Sequence, residues 1–302
     1  MTDKPKRADE LKSEGLRAIL DLCKNMGISK TELDIAFLEN FSADRSELVR
    51  FAVGTPSALD TQFNSNPKTK RPEFAKHGQI EEWIRAHIYK PGLRVSEIGS
   101  RRVTSAARFT DGFPDVEYVG LDVQEGWNVD CVGDAHKLSD YFEPNSFDLV
   151  ISFAVFEHLA MPWIVAEEIT KVLADDGHVI IETHFSFKEH EQPWHYFQFN
   201  SNALEILFCP EFGYELIDSG LDSPMIGRFS YDAAEYLRGT AIGNLYCHSS
   251  IIARKVGNAR DADHAVEWRK LIGRITSESS YPMESDQKRQ HSSRNDEGDS
   301  DT

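Results

Sequence analysis

Between residues 91 and 256 the chain alternates short β-branched runs with stretches of helical spacing, and that alternation restricts the fold more than any other feature. The runs are LRVSEIG, VEYVGLDV, FDLVISF and GHVIIETHF. Strands separated by helices imply right-handed crossovers and a largely parallel sheet. One crossover can be read residue by residue. Pro162 opens a helix, Val165, Ile169, Val172 and Leu173 share one face, and Asp176-Gly177 precedes the next strand. The expectation is an α/β, Rossmann-like domain over 91–256.

The flanks have a different texture. Residues 1–90 read as a helical N-terminal extension: Leu16, Ile19, Leu20 and Cys23 fall on one helix face that Gly27 ends, and Ser29 with Glu32 forms a capping box. A polar loop over 61–71 leads to a further helix at about Gln79–Tyr89, with Ile80, Trp83, Ile84 and Ile88 inward. A C-terminal helix is expected over 257–276. The acidic segment 277–302 is nearly devoid of apolar side chains and is expected to be disordered.

Composition narrows the partners. Of 302 residues, 33 are Lys or Arg and 50 are Asp or Glu, a net charge of −17. Such a surface repels phosphate backbones and anionic headgroups, so neither nucleic acid nor membrane is expected as a partner. Cys23, Cys131, Cys209 and Cys247 show no CxxC spacing. The first residues carry no apolar leader, and a cytoplasmic location with reduced thiols is expected.

The residues that suggest chemistry recur at strand ends. Glu97-Ile98-Gly99 closes the first run, where glycine lets backbone approach a ligand. Asp122 closes the second, a position suited to binding both hydroxyls of a ribose. Asp134, in Gly133-Asp134-Ala135-His136, has the chemistry to read an adenine amino group. FDLVISFAVFEHL places Ser152 and Phe153 at the crevice, with Glu157-His158 following. Each acid taken alone also reads as a loop cap or helix N-cap.

In this order the motifs resemble the class I S-adenosylmethionine-dependent methyltransferases, in particular the type 11 group, over roughly 93–256. FDLVISFAVFEHLAMPWIVAEEITKVLADDGHVIIETHF is the most specific part. The resemblance implies a mostly parallel seven-stranded sheet with an antiparallel last strand, and S-adenosyl-L-methionine as cofactor. It implies Glu97 and Gly99 beside the methionine and ribose, Asp122 on the ribose and Val123 on adenine. Asp134 and Ala135 would bracket the base, and Ser152 and Phe153 would floor the sulfonium. The glycine-rich loop departs from the family pattern, running Glu97-Ile98-Gly99-Ser100-Arg101-Arg102. This cofactor has no phosphate to approach, so a looser loop is compatible with binding it. The EIGSR form resembles a variant of methyltransferases in sugar and cell-surface glycan pathways, implying a small-molecule acceptor with a reactive hydroxyl.

A hydroxyl acceptor calls for a base, and histidine suits it near neutral pH. His158 and His195 are the candidates, with His184 and His190 nearby in sequence. Trp194, Tyr196 and Phe199 read as the acceptor wall. These histidines with Glu157, Glu182, Glu189 and Glu191 have the chemistry to hold a divalent ion, but no spacing sets ligands on one helix face, and no metal is expected. Asn202 with Glu205 reads as the cap of a following helix. Tyr214–Ser219 and Tyr246–Arg254 read as the last strand pair, and 221–243 between them as a lid. Two other readings remain: a scaffold that has lost catalysis, and a DNA-binding regulator through the helices around Met26–Ser29. The second would offer Glu32, Asp34 and Glu39 to a phosphate-lined groove, the wrong charge.

Overall fold

Strand β1 (Arg94–Ile98) is the line from which the sheet extends both ways. On one side it pairs in parallel with β2 (Glu117–Asp122), and β2 with the short β3 (Cys131–Val132). On the other it pairs in parallel with β4 (Phe147–Phe153), and β4 with β5 (Leu173–His184). The chain then forms β6 (Tyr214–Arg228) and β7 (Ala241–Lys255), with β7 antiparallel between β5 and β6. The order is β3-β2-β1-β4-β5-β7-β6, a seven-stranded α/β sheet in which β7 alone is reversed. This computed structural model describes residues 69–103, 109–230, 232–238 and 240–256. The expected helices before residue 69 and after 256, and the acidic tail, lie outside the described residues.

Both faces of the sheet are covered, because strand side chains alternate between them. From β4, Leu149 and Ile151 pack with Ile80, Trp83 and Ile84 of helix α1 (Ile80–His87). Val150 enters the opposite layer with Val165, Ile169 and Val172 of a longer helix. That helix is the fourth in order, after α2 (Phe109–Gly112) and α3 (Leu138–Tyr141): α4 (Pro162–Val172), with proline in its first turn, where no intrahelical N–H is needed. Helix α5 (Ser201–Leu207) buries Leu204 and Leu207. Its cap differs from the sequence expectation. Asn200, not Asn202, accepts from the Ala203 N–H at 2.9 Å, while Glu205 accepts from Lys70 and from the Ser219 hydroxyl.

The expected lid also takes another form. β6 and β7 continue well past Ser219 and start well before Tyr246, so 221–228 and 241–243 are paired strand and only 229–240 connects them. The ladder runs through Pro224 to Arg228 opposite Ala241, beyond the point where β5 stops at His184 opposite His248. A two-stranded arm therefore overhangs the carboxyl edge of the sheet. Pro224 is tolerated because β6 is an edge strand. That edge is covered in part by 70–77: Leu221 N–H donates to the Lys70 carbonyl, and the Asp218 carboxylate accepts from the Phe74 and Ala75 N–H groups.

The opposite ends of β1 and β4 are fastened by charge. Arg94 gives its backbone N–H and two guanidinium nitrogens to Asp148, at 2.7–3.1 Å. The Arg94 hydrogen bonds hold the Asp148 carboxyl below the usual carboxylate range, against the opposing effect of burial. A depressed acid contributes stability above its unfolded pKa of about 3.9 and loses it as pH falls through the folded value. Asp148→Asn should lower stability at pH 7 by about 1 kcal/mol, a modest figure because the guanidinium is partly solvated. Urea unfolding should show the deficit shrinking below about pH 4; a deficit constant across that range would contradict the pairing.

Candidate active site

In an open parallel sheet ligands bind beyond the carboxyl ends of the strands where connections diverge. Here that point lies between β1 and β4, since the chain leaves β1 toward β2 and later returns to β4. Glu97, at the end of β1, is 1% exposed. Its carboxylate accepts from the Tyr118 hydroxyl at 2.6 Å and pairs with Arg102 at 2.9 Å. Burial still pushes the Glu97 carboxyl upward despite these partners. Asn128 donates to the Tyr118 hydroxyl and to the Ser100 carbonyl, fixing the loop after β1. Gly99 has φ +76°, and a Cβ built there would lie 2.1 Å from Cγ2 of Val155 on the loop after β4. Glycine is thus required where these two loops meet.

Asp122 accepts from the Arg101 N–H at 3.2 Å and the Gln124 N–H at 2.9 Å. A carboxylate offers about four acceptor positions, so two remain for ribose hydroxyls. Val123 beside it is 70% exposed, leaving an apolar face uncovered. Asp134 caps the single 3-10 turn Ala135–Lys137, its Oδ1 accepting from the His136 N–H at 2.9 Å and meeting the His136 ring at 2.7 Å. Burial raises that acid while the His136 contacts lower it more, leaving it below its usual value. The capping role foreseen for an isolated acid is therefore present here. Ala135 is buried in the core.

Ser152 and Phe153 do not share a wall. Consecutive strand residues face opposite ways. Phe153 packs in the layer with α1, whereas Ser152 is fully buried with its hydroxyl unpartnered. Phe199 also departs from the expected acceptor wall: it is buried in the core against Phe156. Trp194 and Tyr196 are 58% and 47% exposed, open to a ligand.

The histidines converge. Glu157, on the turn Phe156–His158 after β4, is 0% exposed, accepts from the Thr183 hydroxyl, and lies 2.7 Å from His184 Nδ1. Burial acts to raise its pKa, but His184 and Thr183 outweigh it and the carboxyl stays below its usual value. The Glu157 carbonyl accepts from the Tyr196 and Phe197 N–H groups, folding the loop after β5 back over β4. This brings the His190 ring within 4.7 Å of both the His158 and His195 rings. His158 Nδ1 contacts the Trp194 carbonyl at 3.1 Å, and His190 N–H donates to His195 Nδ1 at 3.3 Å. Sequence spacing grouped these histidines but could not show which rings meet, nor the roles of Tyr118, Asn128 and Arg102, because the contacts cross between loops.

Gly99→Ala should destabilise the domain by about 2 kcal/mol or more, combining a left-handed backbone with a steric clash. Thermal unfolding with and without cofactor checks this. An unaltered melting temperature would show that the two loops do not meet as described.

Residues 104–181 match the family model described as a methyltransferase domain, about a quarter of the chain. No protein of curated function matches the sequence. Among solved structures, the YcgJ protein of Bacillus subtilis is 17% identical with a TM-score of 0.43, covering 60% of this chain and 99% of that one. A SAM dependent methyltransferase from Archaeoglobus fulgidus is 16% identical with a TM-score of 0.42, covering 58% and 93%. A phosphoethanolamine N-methyltransferase of Haemonchus contortus, in complex with S-adenosyl-L-methionine, is 16% identical with a TM-score of 0.39, covering 58% and 51%. The matched segment and the strand order of the sheet on which it lies are those of a methyltransferase domain with the class I fold.

Proposed function

We propose that the domain methylates a hydroxyl of a small molecule, a sugar, glycan precursor or related metabolite. The observation that carries this reading is the asymmetry of the crevice. Its β1–β2 side offers the Asp122 carboxylate and the uncovered Val123, a match for a nucleoside. Its β4–β5 side offers exposed Trp194 and Tyr196 over clustered imidazoles, a match for a polar ring with hydroxyls.

Bound S-adenosylmethionine supplies an electrophilic methyl group on a sulfonium. The protein's part is to hold acceptor oxygen, methyl and sulfur in line and to remove the hydroxyl proton. Asp122 would grip the ribose; Glu97, paired with Tyr118 and Arg102, would hold the loop against the methionine portion. His158 is the better placed base. Its Nδ1 faces a carbonyl, which only accepts, so Nδ1 carries the hydrogen and Nε2 the lone pair. His195 has the reverse arrangement: its Nδ1 accepts the His190 backbone N–H, and its Nε2 is buried with no hydrogen-bond partner. The arm of β6 and β7 would flank the acceptor side. With a net charge of −17, nucleic acid is a poor candidate acceptor. Among the described residues no helix is long and apolar enough to cross a membrane.

Labelled cofactor incubated with fractionated metabolites should transfer label to a neutral hydroxylated compound; label entering only RNA or protein would overturn the acceptor class. With that compound, His158→Ala should lower kcat by about 10²–10⁴-fold at nearly constant cofactor affinity. Asp122→Ala should instead weaken cofactor binding by about 1.5–3 kcal/mol in calorimetry. Wild-type turnover in the His158 variant across neutral pH would remove it as the base.

A further inference from the structure

Two imidazoles meet in a way that a neutral pair cannot sustain. His190 Nδ1 lies 3.0 Å from the Lys188 carbonyl, and His158 Nδ1 lies 3.1 Å from the Trp194 carbonyl. Each carbonyl can only accept, so each Nδ1 holds the ring hydrogen and each Nε2 presents a lone pair. Those two Nε2 atoms face each other at 3.1 Å. Lone pair against lone pair is repulsive unless one ring is protonated, with the Glu191 carboxylate 3.8 Å from His158 Nε2, or a cation lies between or beside them.

The neighbouring groups repeat the pattern. Glu157 Oε1 and His184 Nδ1 approach to 2.7 Å without the alignment of a hydrogen bond, and both atoms are buried with no other partner. Glu157 is fully buried and His184 is more than nine-tenths buried. One ligand atom each from Glu157, His184 and His190 lie within 4.8 Å of one another. Around a tetrahedral zinc, with bonds of about 2.0–2.1 Å, ligand atoms sit about 3.3 Å apart, so shifts of well under an ångström on average bring these atoms to bonding positions. The backbone carbonyl behind His190 Nδ1 is the kind of outer partner that orients a metal-bound imidazole.

We propose that Glu157, His184 and His190 bind a divalent ion of the zinc class, with His158 Nε2 facing its open coordination position. Two imidazoles and one carboxylate select such an ion over magnesium or calcium, which prefer all-oxygen sites. Three protein ligands with a fourth position open is the arrangement of sites that act on a bound oxygen rather than of closed structural sites. An acceptor hydroxyl in that position would lose its proton more readily, to His158. The binding site itself does not depend on methyl transfer, since it rests on the facing lone pairs and the buried, misaligned carboxylate–imidazole pair.

The test uses the full chain, stripped with a chelator and titrated with Co²⁺ and then Zn²⁺. One equivalent of Co²⁺ should give the intense visible bands of a four-coordinate nitrogen and oxygen site, and Zn²⁺ should displace it. His190→Asn, on a surface loop and expected to fold, should weaken binding about 100-fold or more. His248→Asn should leave it intact. Bands that survive His190→Asn but vanish in His248→Asn would place the ion on His248 with either His77 and Glu182 or His184 and Cys247, and overturn the assignment. So would the absence of stoichiometric binding, with an NMR signal for one proton shared by His158 and His190. S-adenosylhomocysteine calorimetry on the same samples separates the readings: lost nucleoside binding with cobalt bands retained would count against methyl transfer alone.

Discussion

The carboxylate of Glu157 is a charge with no access to water, and much of the crevice is arranged around it. An isolated buried carboxylate would cost several kcal/mol, so its surroundings must answer it. Thr183 and His184 from the end of β5 supply the answer on the side chain. The backbone of the same residue accepts from Tyr196 and Phe197, which turns the whole segment after β5 back across the end of β4. Trp194, His190 and His195 stand where they do because that return is enforced.

The other half of the crevice is built on the same economy of buried charge. Glu97 is enclosed by Tyr118, Arg102 and indirectly Asn128, so the loop after β1 is held without the additional glycines of the family pattern. Asp122 then ties Arg101 to β2 while keeping acceptor capacity for a ligand. Gly99 permits the close approach of Val155 that joins the halves. Two buried carboxylates, Glu97 and Glu157, thus stand behind the two sides of the divergence of β1 and β4.

What the sequence made legible followed from periodicity and from strand ends. The alternation of runs gave the parallel sheet, Pro162 gave α4, and the class of cofactor came from the family resemblance carried by Glu97, Asp122 and the stretch around Glu157. What it could not show depended on contacts distant in the chain. The assignment of Ser152 and Phe153 to one floor ignored that adjacent strand residues face opposite ways. Phe199 looked like a wall residue because aromatic density does not distinguish a pocket from a core. Part of the expected lid is strand because the pairing of β6 with β7 runs on to Arg228 opposite Ala241. His158, His184, His190 and His195 could be grouped from the sequence, but not which of them meet, nor the place of His248, because they come from β5, β7, the turn after β4 and the segment after β5, with no single helix to give them a spacing.

The central claim is that one crevice, divided between the β1–β2 loops and the β4–β5 loops, holds the methyl donor on the first side and the acceptor on the second. A crystal structure with S-adenosylhomocysteine bound tests it most directly. The account predicts ribose hydroxyls on the Asp122 carboxylate, adenine against Val123, and the thioether sulfur pointing toward the His158–Trp194 side. A nucleoside bound at any other edge of the sheet, or with its sulfur turned away from those histidines, would contradict it.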